Sequence, residues 1–94
     1  NDPTGLGAMT AAEQANRDDF FIVGIDGSPD AVEALKDGTI FAASSAQDPK
    51  EQIYKAAEIG MNILNGEEVE ESVIYIPTEL ITSDNVDEFE GWLD

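Results

Sequence analysis

Two polar residues that each follow an apolar segment are the strongest candidates for chemistry in this chain. Asp26 comes directly after the run FFIVGI, and Gln47 comes directly after the segment IFAASSA. If both segments are strands of an open α/β sheet, both residues lie at carboxyl ends of strands, where such sheets bind ligands. A carboxylate accepts several hydrogen bonds, and a carboxamide both donates and accepts them. The pair therefore suits a ligand that carries hydroxyl groups.

Each candidate also has a purely structural interpretation. Asp26 precedes Gly27 and can form an Asx turn, which is the interpretation that the residues alone favour. Gln47 can simply lead into a helix cap at Asp48. Near the start of the chain, we expect Asp2 to cap a helix rather than to bind ligand, because Pro3 suits the first helical position.

The elements that position these residues alternate between strand and helix. We predict strands at 20–25, 39–46 and 72–76, with 80–82 continuing the third after Pro77. This alternation predicts a parallel α/β architecture, with the run 20–25 covered on both faces. The first predicted helix begins at Asp2-Pro3, and the second runs from Pro29 to about Lys36 with Ser28 as its cap. The third runs from Asp48-Pro49 to Asn65-Gly66. A last short helix is capped by Ser83-Asp84 and carries Val86, Phe89, Trp92 and Leu93.

The charge balance excludes several classes of function. The chain has 21 acidic and 4 basic residues, which gives a formal net charge of −17. Nucleic-acid binding requires Lys and Arg to displace counterions from phosphates, so we expect no nucleic-acid partner. The acidic surface favours solubility, and the acids do not have the spacing of a calcium-binding loop.

The residue types also argue against an enzyme. The chain has no His and no Cys, so Ser-His and Cys-His catalysis, imidazole or thiolate metal sites, and disulfides are excluded. No spacing sets two carboxylates at a hydrolytic separation. We expect no catalytic residue, no cofactor and no metal. Phe20, Phe21 and Trp92 are more often core residues than platforms on which a ligand ring stacks.

Three segments in a fixed order carry a family resemblance. They are FFIVGIDGSPD at 20–30, AVEALKDGTIFAASSAQDP directly after it, and PTELITSDNVDEF near the end. Together they resemble the C-terminal third of a type I periplasmic sugar-binding protein, of the ribose/galactose group of bacterial ABC transporters. The resemblance covers nearly the whole chain, and it places Asn1 in the middle of a family protein, so we expect a fragment.

The resemblance implies both a fold and a ligand site. Asn1, Asp26 and Gln47 match family positions that contact the sugar, which reverses the preference for a structural role at Asp26. The implied fold is an incomplete type I periplasmic-binding-protein fold that spans parts of both lobes. In that fold, residues 1–45 belong to the C-terminal lobe, 46–48 form a hinge crossing, 49–73 belong to the N-terminal lobe, and 74–94 return through the hinge as the tail.

The resemblance further implies a binding protein that closes two lobes around a monosaccharide and delivers it to an ABC transporter permease. The expected location is periplasmic or extracellular, either free or anchored as a lipoprotein, and the remaining N-terminal part of the protein is an expected partner. A sugar-responsive transcription regulator of the LacI type shares this fold and is the alternative. A stand-alone acidic interaction domain is a third reading.

Overall fold

The computed structural model describes residues 1–89 and Trp92. The chain divides into two compact units, one formed by Asn1–Gln47 with Thr78–Asp94 and the other by Asp48–Pro77. The assignment of these parts to two lobes of a larger protein stays a prediction. Within residues 1–89, no helix combines the length and the apolar character needed to cross a membrane.

The first unit contains a three-stranded sheet in the order β1-β2-β3. The strands are β1 (Ile22–Asp26), β2 (Phe41–Ala46) and β3 (Glu79–Thr82). The pair β1-β2 is parallel, as predicted, whereas β3 runs antiparallel to β2, so the sheet of the described residues is mixed.

The direction of β3 follows from where the chain leaves and re-enters the sheet. The chain leaves at the carboxyl end of β2, and it returns at the same edge, where the Ser45 hydroxyl donates to Thr78 Oγ1 at 2.8 Å. Ala46 then faces Glu79 across the ladder. A strand that begins beside the end of its neighbour has to run in the opposite direction.

The strand predicted at 72–76 is absent from the described residues. Strand 79–82 forms, whereas 72–76 has no regular secondary structure. A strand needs a hydrogen-bonding neighbour, and the regular secondary structure of the second unit is a single helix. Val73, Ile74 and Tyr75 are accordingly exposed.

The helices begin close to the predicted residues. They are α1 (Asp2–Gln14), α2 (Pro29–Lys36) and α3 (Pro49–Leu64). The Ser28 hydroxyl caps α2 by accepting from the Ala31 amide at 3.3 Å, and the Asp48 carboxylate caps α3 by accepting from the Glu51 amide at 2.8 Å. Both predicted caps are confirmed, and α3 ends at the predicted Asn65-Gly66.

Within the described residues, the predicted final helix is represented by one 3₁₀ turn, Val86–Glu88. Asn85 provides the reason, because its side chain accepts from the Thr82 amide at 2.8 Å and donates to the Leu80 carbonyl at 2.9 Å. Residues 83–85 therefore close a turn after β3 instead of capping a helix at Ser83-Asp84. Leu93, which we placed in that helix, lies outside the described residues.

The core of the first unit lies on one face of the sheet. Its centre is Phe41, Leu35, Ile81 and Val86, packed with small alanines of α2 and β2. The opposite face, formed by Val23, Ile25 and Leu80, is 52–59% exposed. The expectation that the run 20–25 is covered on both faces is therefore not met by the part of the chain that the structure describes, in which β1 is also an edge strand.

The second unit consists mainly of an amphipathic helix, α3, whose apolar side is not buried. One stripe of α3 at helical spacing consists of Ile53, Ala56, Ala57, Gly60, Met61 and Leu64, but no residue of α3 is buried. Ile53 is 70% exposed and Leu64 is 81% exposed. An amphipathic helix of this kind gains most of its stability by burying its apolar stripe against a neighbouring element.

Candidate ligand-binding site

Asp26 and Gln47 lie together at the carboxyl ends of β1 and β2. These strands are parallel neighbours, and Asp26 pairs with Ala46, the residue before Gln47. Gln47 Nε2 donates to Asp26 Oδ1 at 2.9 Å, and the Gln47 amide donates to the Asp26 carbonyl at 3.0 Å. The sheet thus joins the two predicted site residues by both side chain and backbone.

The Asp26 carboxylate keeps one oxygen available. Oδ1 accepts from Gln47, while Oδ2 has no hydrogen-bond partner among the described residues. The side chain is half-buried, so this oxygen can be reached from solvent. A carboxylate oxygen in this position can accept a hydrogen bond from a ligand hydroxyl.

The backbone at Asp26 has an unusual conformation. Asp26 has φ of 133°, and Gly27 after it has φ of 74°. A positive φ is uncommon for a residue with a side chain, and such outliers occur preferentially at ligand sites. Gly27 is required here for a second reason, because a Cβ at this position would lie 2.5 Å from the Ala46 Cβ.

Asp2 supports the turn that follows Asp26. Its carboxylate is completely buried, with Oδ2 accepting from the Ser28 amide and Oδ1 accepting from the Ser44 hydroxyl, both at 2.8 Å. The Ser44 hydroxyl oxygen also accepts from the Gly27 amide at 3.0 Å. This network fixes the backbone of the turn from the side of α1 and β2.

The predicted cap at Asp2 is therefore wrong, and Asn1 takes that role. Asn1 Oδ1 accepts from the Thr4 amide at 3.1 Å. The Asp2 carboxylate does not cap α1, because both of its oxygens accept hydrogen bonds from distant residues, Ser28 and Ser44. Asn1 is exposed and is adjacent to Asp2, so it lies near the same edge of the sheet. A contact of Asn1, Asp26 and Gln47 with one ligand stays a prediction.

Trp92 is a contact that sequence reasoning missed. Its indole Nε1 donates to the Asp26 carbonyl at 3.0 Å, and 41% of the residue is exposed. It is therefore not the core residue that we expected. Phe20 and Phe21 are also exposed rather than core, and the guanidinium of Arg17 lies 5.5 Å from the centre of the Phe20 ring.

The charged pair of this unit lies away from the site. Arg17 and Asp19 form a salt bridge of 2.7 Å just before β1, at the amino-terminal edge of the sheet. The hydrogen bond from Arg17 lowers the pKa of Asp19, and the same bond raises the pKa of Arg17. Among the described residues, no group of acids, His or Cys is arranged to hold a metal ion.

A shallow depression of about 450 Å³ also lies at the amino-terminal edge. Glu13, Arg17 and Asp18 line it from α1 and the loop after it, and Thr39 lines it from the segment before β2. Ligands of open α/β sheets bind at the opposite, carboxyl edge. We therefore place the candidate site at Asp26 and Gln47.

Comparison with known proteins gives matches over most of the chain. Residues 1–68 match the family model described as periplasmic binding protein domain. The ribose import binding protein of Salmonella typhimurium is 41% identical over 70 residues, which is 74% of this chain and 23% of that protein. The xylitol-binding protein of Mycolicibacterium smegmatis is 37% identical over 87 residues, which is 93% of this chain and 24% of that protein.

A solved structure shares the fold. It is an ABC transporter solute binding protein from Bacillus halodurans with bound myo-inositol, and it superposes with a TM-score of 0.83 at 40% identity, covering 96% of this chain and 31% of that one. The chain spans about a quarter of the length of the curated relatives it matches. The predicted α/β fold, an incomplete part of a type I periplasmic binding protein, is confirmed. On these grounds the chain belongs to the periplasmic binding protein family.

Proposed function

We propose that this chain is part of an extracytoplasmic solute-binding protein that binds a monosaccharide or a related polyol for uptake by an ABC transporter. The observation that carries the proposal is the contact between Asp26 and Gln47 at the carboxyl edge of the sheet. The names of the relatives, which refer to ribose, xylitol and myo-inositol, support a small polyhydroxylated ligand.

The polar groups at this edge suit hydroxyl ligands. An ionised carboxylate only accepts hydrogen bonds, so Asp26 Oδ2 selects a donor, and a sugar or polyol hydroxyl is such a donor. The Nδ2 group of Asn1 can donate to a hydroxyl oxygen, since Oδ1 is used in the helix cap. In this proposal Asn1, Asp26 and Gln47 contact the same ligand, and Trp92 buttresses the Asp26 carbonyl.

The remaining parts of the proposal concern the whole protein. The chain crosses between the two lobes at residues 46–48 and returns after residue 74, and these crossings form the hinge about which the lobes close. Residues 49–73 belong to the N-terminal lobe. The rest of the protein covers the exposed apolar stripe of α3 and the exposed face of β1. The further partner of the protein is an ABC permease. Its location is the periplasm or the extracellular space, either free or attached to the membrane by a lipoprotein anchor.

The regulator alternative is not favoured. The relatives reported above carry the names of binding proteins rather than of transcription regulators. The strand ending IDGSP and the tail SDNVDEF point in the same direction.

We expect reversible binding without turnover, because the chain contains no His or Cys. The Ser44 hydroxyl does donate to the Asp2 carboxylate, but both residues are fully buried and out of reach of a ligand. The test is calorimetry of the full-length protein with ribose, xylitol and myo-inositol, and with succinate as an anionic solute that the Asp26 carboxylate repels. The expected result is saturable heat with at least one polyol, none with succinate, and unchanged polyol after long incubation. Absence of binding to every polyol, or formation of a product, would contradict the proposal.

A further inference from the structure

The Asp2 carboxylate is the most deeply buried charged group of the described residues, and it takes part in no salt bridge among them. Its relative exposure is 0%, and the salt bridge of this unit joins Arg17 to Asp19 instead. Burial of an ionised carboxylate is unfavourable unless hydrogen bonds and nearby dipoles compensate for lost water. The compensation comes from the Ser28 amide and the Ser44 hydroxyl.

Two helix ends complete that compensation. Asp2 lies in the first turn of α1, and its Oδ2 meets the amide of Ser28, which caps α2. The positive ends of both helix dipoles therefore favour a negative charge at this point. Capping of α1 does not require Asp2, because Asn1 provides it. The buried charge needs another explanation.

The backbone around Asp26 supplies that explanation. The amides of Gly27 and Ser28 are held by Ser44 and Asp2. On the other side, the Asp26 carbonyl is held by the Gln47 amide and the Trp92 indole. The two peptide groups that follow Asp26, Asp26–Gly27 and Gly27–Ser28, are thus hydrogen-bonded from outside the turn.

Gly24 shows that β1 leaves space for this arrangement. A Cβ at Gly24 would collide with Asp2 Oδ1 and would lie 2.7 Å from the Phe41 ring. The glycine allows the N-terminus of α1 to approach β1 closely, as glycines inside strands often do. The space at Gly24 therefore lets the Asp2 carboxylate reach Ser44 and the Ser28 amide, and these contacts hold the backbone of the turn.

We propose that Asp2 is a positioning residue, which acts through Ser28 and Ser44 to hold the Asp26 carboxylate in the orientation that binds a ligand hydroxyl. This inference rests on the proposed function of Asp26. Asp2 touches no ligand itself, so its effect on binding passes through Asp26. Substitution of Asp2 should matter only while the Asp26 carboxylate is present.

A double-mutant cycle in the full-length protein tests this dependence. The probe is whichever of ribose, xylitol and myo-inositol the unaltered protein binds in calorimetry. Asp2→Asn should weaken binding about tenfold, the lower end of the range known for groups that orient metal ligands. In the Asp26→Ala background the same substitution should weaken binding less than about twofold, because the group that it orients is gone.

Leu35→Val is the matched control for a general loss of stability. Leu35 is buried in the core, and its aliphatic side chain cannot hydrogen-bond to the turn network, so its substitution should lower the thermal midpoint without a comparable loss of affinity. Ser44→Ala serves as the second probe of the network and replaces Asp2→Asn if that variant does not fold.

The outcomes separate the two proposals. Equal loss of affinity in both backgrounds, or a loss that Leu35→Val reproduces at the same thermal midpoint, would overturn the positioning role. Unchanged affinity in Asp26→Ala alone would instead overturn the proposed site, and with it the basis for the inference. A loss confined to the background with Asp26 supports the role of Asp2.

Discussion

At the scale of single residues, Asp26 combines a ligand-ready oxygen with a constrained backbone. Its Oδ1 is held by Gln47 at 2.9 Å while Oδ2 has no partner in the described part of the chain. The carboxylate is therefore oriented before any ligand arrives, which reduces the entropy that binding has to offset. Such preorganisation is the physical basis for expecting a strong effect at this one position.

We predict that Asp26→Ala in the full-length protein weakens polyol binding by about 1.5–3 kcal/mol, the usual worth of a hydrogen bond to a charged group. Calorimetry measures the change directly. Asp18→Ala is the matched control, because Asp18 is an exposed acid at the opposite edge of the sheet, beside the depression. It removes the same charge and should leave affinity unchanged. Equal effects of the two substitutions would mean that only net charge matters.

At the scale of elements, the turn after β1 depends on a glycine in two separate ways. Gly27 has φ of 74°, and the space for its side chain is occupied by Ala46. Gly38, at the end of α2, has a similar φ of 69° but no atom within 4 Å of the added Cβ. The two glycines therefore separate the cost of conformation from the cost of steric overlap.

We predict that Gly38→Ala destabilises the folded protein by about 1 kcal/mol, which is the conformational contribution alone. Gly27→Ala should cost about 1–3 kcal/mol more, the usual range for overpacking, and it should also weaken ligand binding because the turn carries Asp26. Denaturant unfolding of the full-length protein gives both values. The interpretation fails if the two variants are equally stable.

Several elements could be predicted from sequence because local residues determine them. The caps at Ser28 and Asp48 lie within three residues of the amides that they satisfy. The positions of Asp26 and Gln47 follow from the ends of two apolar runs, which set the carboxyl edge of the sheet.

Other features could not be predicted, because they depend on distant residues. The partners of Asp2 lie 26 and 42 residues along the chain, so its local role as a cap was the only one visible. The glycine within β1 and the serine on the buried face of β2 were the available signals, and each has many explanations. The segment 72–76 has strand-forming residues, but strand formation requires a neighbour that the described chain does not provide.

At the scale of the whole molecule, apolar surface dominates the expected behaviour. The α3 stripe is exposed, and β1 leaves one edge without a partner strand in the described residues. Exposed apolar patches and strand edges recruit other chains. The net charge of −17 opposes association, but salt screens this repulsion.

We therefore predict that these 94 residues, produced alone, do not form a stable sugar-binding monomer. They should be partly disordered, or they should associate, increasingly so as salt is raised. Sedimentation and thermal unfolding across a series of salt concentrations measure this. Supplying the N-terminal remainder of the protein as a separate chain should restore binding. A cooperative monomeric transition whose midpoint rises with sugar would contradict the prediction.

The hydrogen bond between Trp92 and the Asp26 carbonyl has an optical consequence. Trp92 is the single tryptophan in these 94 residues, and its indole N–H is bonded to the residue that we expect to bind ligand. Indole emission responds to the polarity and hydrogen bonding of its surroundings, so occupation of the site should change Trp92 fluorescence. We predict that titration of the full-length protein with its polyol ligand gives a saturable change in emission, and that the midpoint of this change equals the Kd from calorimetry. Trp92→Phe should abolish that change; a full signal in this variant would mean that the emission arises elsewhere in the protein.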